Sequence, residues 1–169
     1  MPLTKIQSLG ITDGTIVNAD INASAAIAST KLSGSFGKVL QVQNMTTTSS
    51  TTTTSTSFVV TALTLSITPS SASNKILILA TGNVNNTSAS KWCYATIAKG
   101  GTNLGANEGM TGVYSNGGDI HAPCTMVYLD SPSSTSSLTY DVRIKADSGT
   151  AIWNQQVAKA SLTLIEIAG

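Results

Sequence analysis

Two hydrophobic rhythms divide the chain. Up to Leu32 the apolar anchors are Ile6, Ile11, Ile16 and Ile21, five residues apart, followed by Ile27 and Leu32. A step of five turns a helix by about 140° and flips a strand residue to the other face, so no single straight element gathers these side chains. The intervening sequence, ITDGTIVNADINASA, is polar and contains glycine, and it needs neighbouring copies to bury its isoleucines. Residues 1–37 are therefore expected to form an extended oligomer stalk or an arm that docks on a larger assembly, with those six residues as its oligomerisation or docking contacts. A short Ala-rich helix from Asp20 to Leu32, capped by Asp20, is a local variant. Gly34 and Gly37 around Phe36 mark a hinge into residues 38–169.

From Lys38 onward the pattern changes to period two. Strands are predicted over 38–43, 58–67, 75–80, 91–99, 124–129, 138–145, 151–154 and 161–167, with a weak one near 110–114. In 138–145 the pattern is sharpest, placing Leu138, Tyr140, Val142 and Ile144 inside and Thr139, Asp141, Arg143 and Lys145 outside. The twelve consecutive hydroxyl residues from Thr46 to Ser57 read as a solvated loop passing into a polar strand. Short strands at spacings near ten residues, without a convincing helix, predict an all-β antiparallel sandwich of the jelly-roll kind. KILILA (75–80) and SLTLIEI (161–167) are apolar on both faces, whereas a sandwich strand normally shows one face to water. A second layer, most simply another subunit, is expected over them. Leu162, Leu164, Ile165 and Ile167 are the expected subunit interface.

Composition narrows the classes. Eight lysines, one arginine, six aspartates and two glutamates leave a net charge of +1, and the lysines are scattered singly. Nucleic-acid binding needs a clustered basic surface, so it is not expected. Serine and threonine number 48, which with abundant Val and Ile favours strands and turns over helices. No secretory signal is read at the N-terminus, and no apolar run approaches the roughly 18 residues of a membrane span.

Candidate chemistry is sparse. His121 is the single histidine; with Asp119 and Ser115 it suggests a hydrolase triad only loosely, because G-x-S-x-G is absent. His121 and Cys124, with Cys93, lack the paired close spacings of a zinc site. The glutamates, Glu108 and Glu166, make no convincing glycosidase pair. The expectation is a non-enzyme without cofactor or metal. Cys93 and Cys124, 31 residues apart, read as buried free thiols, with a disulfide stapling two strands as the alternative. Glu166 alternates with Leu162 and Leu164, so it faces inward and calls for a partner such as Arg143 or a lysine. Trp92 and Tyr94 share a strand face; such aromatics fill a core or subunit interface, or, when exposed, stack on sugar rings or anchor protein contacts. The Gly/Asn-rich stretch 100–118 and the residues after it suggest a recognition loop, with Asn107, Tyr114, Asn116, Asp119 and His121 as candidate receptor contacts.

ITDGTIVNADINASAAIASTKL resembles the stalk repeats of tailed-bacteriophage fibre proteins. LSGSFGKVLQV, SITPSSASNKILIL, YATIAKGGTNLG, YLDSPSSTSSLTYDVRIK and ASLTLIEIAG resemble the terminal head of such fibres, especially those of marine and cyanobacterial phages. The resemblance implies a homotrimeric virion appendage, assembled in the host cytoplasm, with a jelly-roll head similar to the tumour necrosis factor fold. It implies that the arm meets other virion proteins and that the head meets a host-surface glycan or protein. A single stalk segment is short for a tail fibre, so a capsid decoration, cement or head-fibre protein is the alternative.

Overall fold

The computed structural model describes residues 38–117, 120–155 and 158–169. The arm contacts Ile6, Ile11, Ile16, Ile21, Ile27 and Leu32, the variant helix 20–32, and Asp119 lie outside the described residues.

Eleven strands and no helix occur among the described residues: β1 (Val39–Thr47), β2 (Thr51–Thr53), β3 (Val59–Ile67), β4 (Lys75–Asn86), β5 (Lys91–Lys99), β6 (Thr102–Asn103), β7 (Thr111–Ser115), β8 (Ala122–Asp130), β9 (Leu138–Ala146), β10 (Ala151–Trp153) and β11 (Ala160–Ile167). All ladders are antiparallel. One sheet runs β1-β11-β4, with β8 on the far edge of β4 and with β10 and β2 continuing from the end of β4. The other runs β3-β9-β5, with β6 and β7 sharing the far edge of β5. The two sheets pack face to face as a β-sandwich.

The period-two pattern decides what fills it. Ile76, Ile78 and Ala80 of β4, Cys93, Ala95 and Ile97 of β5, Tyr140, Val142 and Ile144 of β9, and Leu162 and Leu164 of β11 are buried in one core. Such alternation is what a sheet with one wet face requires. Leu162 and Leu164 correct the expected subunit interface, because they point into the protomer's own core. Of the four residues named for it, Ile165 and Ile167 are the two that face outward.

Two elements exceed the predicted pattern. β4 continues past Ala80 through TGNVNN because β8 and then β10 pair with it there, and the side-chain amides of its two final asparagines find acceptors. Asn86 Nδ2 donates to Trp92 O (2.8 Å) and Ser148 O (3.0 Å), and Asn85 Nδ2 to Gln155 Oε1 (2.7 Å). The hydroxyl run contains β2, which pairs with β10. Gly82 lets this end close: a Cβ there would lie 2.5 Å from Cζ2 of the buried Trp153.

Glu166 is fully buried, as its alternation predicts, but its partners differ from those expected. Gln41 Nε2 donates to Oε2 (2.6 Å), while Ser70 N (2.7 Å), Ser70 Oγ (2.8 Å) and Asn74 Nδ2 (2.6 Å) donate to Oε1. Arg143 instead pairs with Asp141, at 2.5 Å. Cys93 and Cys124 are buried and free, and desolvation pushes each thiol up to about 12.

Candidate functional site

The outer faces of the two sheets differ in chemistry. On the β1-β11-β4-β8 sheet the register aligns Val42, Ile165, Leu77 and Leu129 in one row across four strands. The next row is Asn44, Thr163, Leu79 and Val127, and the one after is Thr46, Ser161, Thr81 and Thr125. Val39 and Ile167 extend the apolar end, where the described chain begins. Val42, Val127 and Leu129 are 55%, 59% and 50% exposed. The polar end satisfies itself: Thr81 Oγ1 and Ser161 Oγ are 2.8 Å apart, and Asn44 Nδ2 donates to Thr163 Oγ1 at 2.8 Å. Contiguous apolar surface of this kind marks an interaction site.

The outer face of the other sheet carries an aromatic cluster. Trp92 and Tyr94 stand two residues apart on β5 and so share a face, which places them outside the core. Their rings are near-parallel, 7° between planes with centroids 5.7 Å apart. Tyr114 comes from β7, directly opposite Trp92 in register, and its ring lies 5.2 Å from that of Trp92 at 50°. Tyr94 lies over Gly112, its partner on β7; a Cβ there would sit 2.8 Å from the ring's Cδ1. Trp92 and Tyr114 are 38% and 40% exposed.

Charged groups frame the rings. Lys145 Nζ lies 5.0 Å from the centroid of Phe58 and 5.3 Å from that of Tyr94, within cation–π range, and donates to Asn107 O at 2.6 Å. Desolvation, followed by the negative charges of Glu108 and Asp147, raises the Tyr94 hydroxyl pKa. The backbone of Trp92 is tied on both sides: its N–H donates to Asp147 Oδ1 (3.0 Å), and its carbonyl accepts from Asn86 Nδ2 (2.8 Å) and Asp147 N (3.3 Å).

Among the residues expected in a receptor loop, Tyr114 joins this cluster and Asn107 borders it through Lys145. Asn116 is exposed just past β7, and His121 is half-buried one residue before β8. Lys145, Phe58 and Gly112 were not singled out from sequence for the site. The alternation of Trp92 and Tyr94 was the available signal; the roles of Gly112 and Lys145 follow from strand register. Among the described residues no group of three His, Cys, Asp or Glu side chains is arranged to hold a metal ion. In sequence, the chain matches no family model and no curated protein.

Proposed function

We propose that this chain is a virion structural protein of the tailed-phage fibre type, a short homotrimer whose jelly-roll head contributes to host-surface attachment. The observation that carries the reading is the division of labour between the two outer faces. The apolar face suits copies of the same chain, which would cover Val42, Leu77, Val127, Leu129, Ile165 and Ile167, with the exposed Lys75 opposite Ile167 at its rim. Burying such side chains stabilises association by about 1 kcal/mol or more each. The sheet orders β1-β11-β4-β8 and β3-β9-β5-β7 support the jelly-roll reading. The polarity of the head supports attachment: the chain joins the sandwich at Val39, and β4 runs from that end to the one where β5 begins, next to Trp92. The described chain thus begins at the end opposite the aromatic cluster, and three copies would multiply weak contacts into useful avidity.

Light scattering tests the assembly. The wild-type chain is expected at three times its monomer mass, and Val127→Asp with Leu129→Asp as a monomer with an unchanged far-ultraviolet spectrum. A wild-type monomer at micromolar concentration would sink the trimer. Attachment is tested by co-sedimentation of the trimer with intact host bacteria, and virion membership by mass spectrometry of purified particles.

A further inference from the structure

We propose that Trp92, Tyr94 and Tyr114 form a binding platform for uncharged pyranose glycans. The biological setting rests on the attachment reading above; the platform rests on its own geometry. A pyranose ring presents a flat patch of C–H groups with hydroxyls around its rim. Its apolar patch suits an aromatic ring face, and its rim needs hydrogen-bond partners within reach. The cluster offers both. Its rings are half-exposed rather than sunk in a pocket, which fits a flat ligand better than a projecting side chain. Asp147, Glu108, Lys145 and the hydroxyls of Tyr94 and Tyr114 lie at or around its edge.

Charge selects within the glycans. Asp147, whose Oδ1 accepts from the Trp92 N–H, sets a carboxylate at the edge of the cluster, so an acidic sugar would meet like charge there. Lys145 is engaged with two rings and the Asn107 carbonyl. Nucleic acid, whose bases also stack on aromatics, would bring phosphates to a surface with no basic stripe. The platform is held in advance of binding, which limits the ordering cost of association. Both sides of the Trp92 backbone are tied, and the missing side chain at Gly112 lets Tyr94 lie across the neighbouring strand.

The test is calorimetric titration of the full chain with neutral oligosaccharides derived from mannan, glucan and galactan, against oligogalacturonate. At least one neutral oligosaccharide is expected to bind and the uronate to bind at least about tenfold more weakly. Trp92→Ala and Tyr114→Ala are each expected to weaken binding by about tenfold or more, the range for central aromatic contacts. Gly112→Val should weaken it while keeping every ring, with melting temperature and near-ultraviolet spectrum reporting the fold. The proposal is overturned if no neutral oligosaccharide binds, if the uronate binds as well, or if both alanine variants bind like wild type. Co-sedimentation with bacteria separates the two readings. Adsorption that Trp92→Ala abolishes, without neutral-glycan binding, keeps attachment and discards this ligand class. Neutral-glycan binding without adsorption keeps the platform and discards attachment.

Discussion

Glu166 gives the sharpest test of how this sandwich is held together, because it is a fully buried carboxylate whose hydrogen-bond donors are all neutral. Desolvation alone would push its pKa up. The donors Gln41, Asn74, Ser70 N–H and Ser70 Oγ–H outweigh that and bring it from the ordinary value of 4.5 down to about 2. Each unit corresponds to about 1.4 kcal/mol, so the shift corresponds to about 3.5 kcal/mol at most. Ser70 is exposed, and water beyond it screens the carboxylate, so about 2 kcal/mol is expected. The sign follows from the depressed folded-state pKa. The contribution is complete above about pH 4.5 and is lost as pH falls toward 2. Glu166→Gln keeps the shape but turns an N–H₂ toward one of the donors. If that donor is Gln41 and its amide rotates to accept, it gives up its 2.7 Å bond to Thr68 O. Urea unfolding of wild type and variant, at one protein concentration, is expected to differ by about 2 kcal/mol at pH 7 and by well under half of that at pH 2.5. Taking the difference between the two proteins removes the other carboxylates that titrate in this range. Equal stability at pH 7, or a difference that does not change with pH, would refute the argument.

Other perturbations address the core. Gly82→Ala would force a methyl to 2.5 Å from the immobile Trp153 ring, and is expected to cost about 1–3 kcal/mol, read as a lowered melting temperature. Tyr140→Phe removes the 2.6 Å bond to Asp130 Oδ2 while leaving the Lys99–Asp130 pair, and should cost about 1.5–3 kcal/mol in chemical denaturation. With both thiols near 12, Cys93 and Cys124 should resist a thiol-reactive dye at pH 8 in the folded protein and react once it is unfolded in guanidinium.

What was legible in the sequence was whatever a single strand can carry. Period two marked the core faces of 91–99 and 138–145, because a sheet with one wet side forces alternation, but it misjudges the other faces: Thr96 and Ala98 are buried as fully as Ile97, and Asp141, expected outside, is buried beside Arg143. What the pattern cannot say is which apolar side of a two-faced strand belongs to the protomer, so it does not separate Leu162 and Leu164, which fill the core, from Ile165 and Ile167, which face outward. Polar residues were read less well. Glu166 was correctly turned inward, yet its donors come from β1 and the turn before β4, and an amide or hydroxyl has no pattern that distinguishes a buried donor from a surface one. The aromatic cluster shows the same limit. Trp92 and Tyr94 are neighbours by alternation alone, but Tyr114 meets them through the β5–β7 register, and Gly112 matters because Tyr94 sits opposite it. A glycine in a strand is ordinarily read as a weak point. Here its missing side chain leaves the gap that Tyr94 covers, so Gly112→Val separates a platform that depends on shape from one that depends on aromatic content alone.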